Sequence, residues 1–263
     1  MVVTTYRIPY TYGETIQIKP IADVHAGNKH CDIAAFKAWL AEGNGNRYFL
    51  GIGDLTDSIV VPDKRYAKSA DATEGDSIID EQVESMADLL GSYKEHIIGL
   101  GLGNHEEIII RRCGTNPVKR LCERLGCDYL AYSGLIRLIL SENGSRGRTI
   151  TIRYHHGWGG GSRTQGADLT KYSKDIAYWD ADLFLYGHVH RRQSDRIPRL
   201  GLAGDKLISR PKLIGICGTF LKTYSQGEDT TYSERAGYPP VEIGGLTVNI
   251  KPTRNWVKMW IDL

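Results

Sequence analysis

The sequence predicts an α/β fold. Two observations carry that prediction. Short apolar runs alternate with amphipathic stretches along the chain, and several of the apolar runs stop on an acid or a histidine. The bulk properties agree. A chain of 263 residues suits one large domain or two small ones and can bury a substantial core. Its net charge of +2 is too near neutral to imply, by itself, a nucleic-acid coat or a membrane surface.

The elements follow in order. TIQIKPIAD (15–23) reads as a strand ending on an acid, and DIAAFKAWLAEG as a helix with Asp32 as its N-cap and Ile33, Phe36 and Leu40 on one face. YFLGIGD (48–54) is a second strand ending on an acid. Residues 62–76 are polar and non-periodic and are expected to form an exposed loop. A helix follows from an Asp76/Ser77 start, with Ile79, Val83, Met86 and Leu90 at helical spacing. HIIGLG (96–101) is a third strand. TNPVKRLCERLG (115–126) is a short helix with Asn116 as cap, Pro117 in its first turn and Gly126 as its stop.

Residues 135–156 read as a β-hairpin turning within 142–148. GWGGGSRTQG is then a loop, ADLTKYSKDIAYW a helix, and ADLFLYGHVH a strand and turn. From Lys206 the chain is β-rich, with KLIGICGTF, LTVNI and WVKMWIDL as strands. No internal repeat, low-complexity tract or domain boundary stands out, so 1–263 is expected to be a single domain.

Cys31, Cys113, Cys122, Cys127 and Cys217 form no CxxC pair and no zinc-ligand spacing, and an odd count argues against a disulfide framework. MVVTTYRIPY has neither a basic leader nor an apolar signal core, and no apolar run approaches a membrane span. A reduced, cytoplasmic protein without membrane contact is expected.

The polar residues that end the apolar runs form a series. Asp23 and His25 follow the first strand, Asp54 the second, Asn104 and His105 the third, His155 and His156 the fourth, and His188 and His190 the fifth. Six of the eight histidines lie in these motifs. In open α/β sheets the carboxyl ends of strands line the ligand crevice, so residues far apart in sequence can converge there. Each motif alone has a plain reading as a turn acid, an Asx-turn or a solvated imidazole. Five of them in succession at strand ends point to one site.

Asp-x-His, Gly-Asp-x-x-Asp, Gly-Asn-His-Glu, His-Gly and Gly-His-x-His, in that order over residues 16–190, resemble the calcineurin-like metallophosphoesterase superfamily. The resemblance implies a four-layer αββα sandwich: two mixed β-sheets flanked by helices, a metal site at the carboxyl ends of strands, and residues 206–263 completing the second sheet. It also implies two divalent metal ions. Asp23, His25, Asp54 and His190 would hold one; Asp54 would bridge to the other, held by Asn104, His156 and His188. Strand alternation puts Ile150, Ile152, Tyr154 and His156 on one face and favours His156 over its neighbour, though His155 stays open as the ligand. A set of imidazoles, carboxylates and one amide, without thiolate, suits Mn²⁺ first, with Fe, Zn²⁺ and Mg²⁺ as alternatives. Bridged ions lower the pKa of a shared water and clamp phosphate oxygens.

His105 is then free to act as general acid, with Asp57 orienting it and raising its pKa, or else serving as a plain helix cap. Glu106 is read as a cap or support rather than a ligand. Arg163 and Arg191 are placed to meet substrate phosphate, within a group that includes Arg111, Arg112, Lys119, Arg120 and Arg192; a solvated basic surface is the alternative. Trp158 could stack on a base or pack under its loop. The expected function is hydrolysis of a phosphoester substrate, foremost a phosphodiester of nucleic acid or a nucleotide. A phosphomonoesterase, protein phosphatase included, is the first alternative, and a non-catalytic interaction module on the same fold the second.

Overall fold

The computed structural model describes residues 1–59, 78–142, 147–227, 230–254 and 256–263. The expected loop over 62–76, the Asp76/Ser77 helix start and most of the 142–148 turn lie outside the described residues. The strands are β1 (Val2–Pro9), β2 (Ile16–Ala22), β3 (Arg47–Gly53), β4 (Ile97–Leu100), β5 (Ser133–Ser141), β6 (Arg148–His155) and β7 (Leu183–Tyr186). They continue with β8 (Arg192–Ile197), β9 (Leu200–Ala203), β10 (Lys206–Ser209), β11 (Lys212–Thr219), β12 (Gly244–Gly245), β13 (Thr247–Pro252) and β14 (Val257–Asp262). The helices are α1 (Ile33–Ala41), α2 (Ile78–Gly91), α3 (Asn104–Cys113), α4 (Pro117–Leu125), α5 (Ala167–Ser173) and α6 (Tyr232–Arg235).

Two mixed sheets result. One runs β1-β5-β6-β7-β11-β12 with β8 also on β11; the other runs β14-β13-β2-β3-β4. Period-two alternation divides each strand between layers. Leu183 and Leu185 of β7 face the space between the sheets, while Phe184 and Tyr186 face outward onto Tyr172 of α5. On β3, Leu50 and Ile52 point into the sandwich, and Phe49 points out to the layer built on α1, α2 and α4. The order is therefore helices, sheet, sheet, helix, the sandwich that the motif resemblance implied. Strands buried on both faces read as continuous apolar runs, which is why β3, β4 and β7 were legible.

Local signals hold where they were read. Asp32 Oδ1 accepts from Ala35 N at 2.9 Å and caps α1, and Asn116 Oδ1 accepts from Lys119 N at 3.0 Å to cap α4. Gly126 ends α4 in the left-handed conformation at φ 69°. The 150–156 face is as expected, with Ile150, Ile152 and Tyr154 in the inter-sheet core. Other elements gave no reading in the sequence. β1 pairs parallel with β5, α3 opens on Asn104, and β9–β10 form a two-stranded hairpin outside both sheets. Among the described residues, no helix is long and apolar enough to cross a membrane.

Candidate metal centre

β2, β3 and β4 run parallel, so Asp23, Asp54 and Asn104 leave neighbouring strands at the same pole. β6 and β7, also parallel, deliver His156 and His188 to that pole from the other sheet. The chain must turn sharply as it leaves each strand. Asp23 (φ 49°), His25 (53°), Asp54 (50°), His188 (73°) and His190 (58°) all adopt left-handed backbone, five of the seven non-glycine residues that do so among those described. Each such residue costs about 1–3 kcal/mol, so its surroundings must hold it in place.

Those surroundings are on hand. His188 N donates to Asp23 Oδ2 at 2.8 Å, and His105 N donates to Asp54 Oδ1 at 2.9 Å. Glu106 is fully buried; its carboxylate accepts from Asp54 N (3.1 Å), Thr56 N (2.9 Å) and Gly103 N (3.0 Å). It thus ties the β3 turn to the start of α3, as a support and not a ligand. Gly103 is required by close approach, since a Cβ there would lie 2.1 Å from Asp54 Oδ1.

The side chains fall into three adjoining clusters. Asp23, His25 and His190 form one, His25, Asp57 and His105 a second, and Asp54, His156 and His188 the third; within each, the donor atoms lie within 4.8 Å of one another. Asp54 joins them, its Oδ2 being 3.3 Å from His156 Nε2 and 3.9 Å from His25 Nε2. Asn104 Oδ1 lies 3.0 Å from His156 Nε2, and His190 Nε2 lies 3.5 Å from Asp23 Oδ1.

The donors fit divalent cations. Asp23 Oδ1 is buried without a hydrogen-bond partner, and His25 Nε2 faces His190 Nε2 at 3.2 Å, nitrogen to nitrogen. Burial pushes the Asp23 carboxyl up to about 7 against the pull of His156, as expected of a carboxylate short of cations. Burial and the charge of His25 hold His190 well below its usual range, and burial together with His156 lowers His188. Both rings therefore keep the neutral lone-pair form that a metal takes. His156 behaves differently: burial lowers it, but Asp54 outweighs that and carries it to about 9, an ion pair standing where a cation fits. Nitrogen and oxygen donors without thiolate select hard to borderline divalent ions.

His156, rather than His155, faces this cluster. His155 turns to the other side of the strand, where its Nδ1 accepts from Gly157 N at 2.8 Å and its ring meets Trp158 edge-on. Trp158 also packs on Tyr172 and Tyr186, under its loop. His105 Nε2 is 4.0 Å from Asp54 Oδ2, while its Nδ1 is 2.6 Å from the Asp57 backbone carbonyl. Asp57 thus holds His105 by its main chain. The Asp57 carboxylate lies 3.8 Å from His105 Nδ1 and closer, 3.3 Å, to His25 Nδ1, and it accepts from Asn28 Nδ2 at 3.2 Å. It is a brace for His25 more than a partner of His105.

The basic residues have partners within the chain, and Arg191 also lines a cavity together with His25, Asp54 and His188. The Arg191 side chain is buried: Nη2 donates to Ser162 O at 3.0 Å and Nη1 to Gln165 Oε1 at 3.3 Å, pinning the glycine-rich loop. Arg163 reaches Ala236 O at 3.3 Å, Arg111 pairs with Glu107, Arg120 with Asp80, and Arg192 with Glu242. Asn28, Gln82 and Thr219 gave no sequence signal, yet they belong to the frame. Gln82 Oε1 accepts from Ser58 N at 2.8 Å, and Thr219 Oγ1 donates to Asp23 O at 2.7 Å. Each acts through a contact between distant segments, which no local pattern encodes.

Two mixed sheets between helical layers, with buried His/Asp clusters at the strand carboxyl ends, are the arrangement that the motif resemblance implies. No family model matches the chain, and no curated protein matches it in sequence. Solved structures similar to it include a metallophosphoesterase from Sphaerobacter thermophilus (14% identity, covering 94% of this chain and 89% of that one, TM-score 0.37). A second is a predicted phosphoesterase from Streptococcus pneumoniae TIGR4 (16%, 95% and 99%, 0.34). A third is a zinc-complexed Vps29 from Entamoeba histolytica (15%, 94% and 98%, 0.38).

Proposed function

We propose that this chain, read as one domain, is a metal-dependent phosphoesterase acting foremost on phosphodiesters of nucleotides or nucleic acid. Asp23, His25, Asp54 and His190 would hold one divalent ion, and Asp54, Asn104, His156 and His188 the other, with Mn²⁺ the first candidate. When bound, such ions supply Lewis-acid polarisation of the phosphoryl group and acidify water. One observation carries the reading: the Asp54 carboxylate lies 3.3 Å from His156 Nε2 in its own cluster and 3.9 Å from His25 Nε2 in the adjoining ones, while His105, grouped with His25 and Asp57, lies 4.0 Å from it.

The chain's own groups then have distinct tasks. The Asp57 carbonyl accepts from His105 Nδ1–H, so the proton available for transfer is the one on Nε2, on the side facing Asp54. Protonated His105 would give that proton to the departing oxygen, a role that typically supplies about 10²–10⁴-fold in rate. The Asp57 carboxylate steadies His25 from behind, as outer carboxylates do for metal-ligating imidazoles. Arg191 keeps the 157–166 loop against the site and, lining the same cavity as His25 and Asp54, would also meet substrate phosphate.

The test is hydrolysis of bis-p-nitrophenyl phosphate, p-nitrophenyl phosphate, and single- and double-stranded DNA and RNA with added Mn²⁺. Turnover of the diester is expected. Turnover of the monoester alone would overturn the diester preference, and hydrolysis of none by protein that holds two ions would overturn the enzyme.

A further inference from the structure

The metal centre opens into a cavity of about 290 Å³ that is also lined by residues from 221–223 and 230–241, after the last histidine motif. The centre's own edge of the cavity is His25, Asp54, Asn104, His105 and His188. Opposite them stand Leu221, Pro239 and Val241, with Ile59 at the side. Two phenol rings complete the wall: Tyr232, 60% exposed, and Tyr238, with ring centroids 6.2 Å apart. Arg235 lies at the rim. Apart from Asp54 and Asp57, no described residue of the lining is acidic.

The wall is held in place. Thr231 caps α6 by accepting from Glu234 N at 3.0 Å, Val241 N donates to Thr223 Oγ1 at 3.1 Å, and Tyr224 donates to Tyr238 O at 2.7 Å. Its wall sets apolar and aromatic side chains beside cationic ones. Cavities of roughly 300 Å³ with apolar and aromatic walls enclose small ligands, and an exposed tyrosine face offers a stacking platform for a base. Lys29, Arg191, Lys222 and Arg235 also line the cavity and suit the charge of a single phosphate, with Lys222 paired to Asp32 at 3.0 Å and Arg191 bonded to the loop. The cavity is lined by the metal centre and by His105 together, so a group leaving with His105's proton would lie within it.

We propose that this cavity is a leaving-group subsite for a nucleoside, which makes the substrate a small nucleotide ester in place of a nucleic-acid strand. The proposal rests on the phosphoesterase reading above. On hydrolysis, water oxygen bonds to phosphorus and gives up one proton to solvent, the phosphorus–oxygen bond to the nucleoside breaks, the nucleoside oxygen takes the proton from His105 Nε2, and solvent returns a proton to His105.

Binding is read first, by equilibrium dialysis of adenosine against metal-free protein. Tyr232→Ala is expected to lower adenosine affinity about five- to a hundredfold, the span that base–aromatic stacking supports. Val241→Trp fills the cavity and should weaken adenosine by about tenfold or more. With Mn²⁺ present, the kcat/KM ratio of adenylyl-adenosine to adenosine 3′-methyl phosphate should fall about tenfold in Val241→Trp, through KM. Equal adenosine affinity in wild type and Tyr232→Ala overturns the subsite, and the exposed position of Tyr232 keeps that comparison valid even if Val241→Trp folds poorly. Faster cleavage of single-stranded DNA than of the dinucleotide, unchanged by either variant, also overturns it. Turnover of bis-p-nitrophenyl phosphate reports separately on the phosphoesterase itself.

Discussion

The two poles of the sandwich are built on opposite terms. At the carboxyl pole of β2, β3, β4, β6 and β7, five side chains capable of binding metal leave their strands in left-handed backbone, and buried carboxylates lie among imidazoles. At the other end of β8 and β11, away from Thr219 and its contact with Asp23, the β9–β10 hairpin continues in regular strand geometry. Leu200, Leu202 and Leu207 there are 70%, 75% and 71% exposed. One pole holds strain and buried charge against a dense set of hydrogen bonds; the other does neither. The contrast teaches where folding energy is diverted. A site able to gather cations must be assembled at a cost to the empty protein, and only ligand binding returns that cost.

The largest effect that would break the contrast is at Asp54. Asp54→Asn should abolish the paired site, so that metal analysis finds fewer than two ions per chain and Mn²⁺ no longer raises Tm. Wild-type protein at a metal concentration of 100 Kd should gain about 2.7 kcal/mol, and chelation should remove it. Equal metal content in the variant would refute the shared carboxylate. Next comes His105→Asn, which should keep its metals but lose about 10²–10⁴-fold in kcat, most with poor leaving groups.

Glu106→Gln probes the frame. It retains a side-chain oxygen for one or two of the three N–H groups and removes the charge, so about 1–3 kcal/mol of stability should go, read by urea denaturation. A smaller effect is expected at the α1 cap. Hydrogen bonds from Ala35 and the Lys222 ion pair hold the Asp32 carboxyl below its ordinary range. A lowered folded pKa contributes stability above the ordinary carboxylate pKa and loses it as pH falls through the folded value. Asp32→Ala should therefore cost about 1 kcal/mol at neutral pH, and the gap to wild type should close in acid. The smallest effect belongs to the distal pole: Leu202→Ser should change stability by no more than about 0.5 kcal/mol and leave metal content alone. A larger loss would show that the hairpin is packed after all.

Much of this was legible beforehand because its signals are local. Asp32, Asn116 and Gly126 mark helix ends by their own hydrogen bonds and backbone, and apolar runs of four to seven residues mark strands buried on both faces. The choice of His156 over His155 also followed from strand alternation, since neighbours on a strand must point to opposite faces. β1 was not legible: its exposed face alternates with partly buried residues, and only pairing with β5 makes it a strand. The Arg191 bond to Ser162 O was not legible, because a basic residue after a metal motif looks the same whether or not it also meets a main-chain carbonyl.

The sequence alone determined which residue types gather at the strand ends and in what order, because that pattern is written in neighbours along the chain. Tertiary structure decided what each of them faces. Asp57 holds His105 by its carbonyl and lies 3.3 Å from His25 by its carboxylate, Glu106 ties two turns together, and residues from 221–223 and 230–241 line a cavity at the centre. These are contacts between segments tens to hundreds of residues apart, and their geometry exists only once the two sheets have packed.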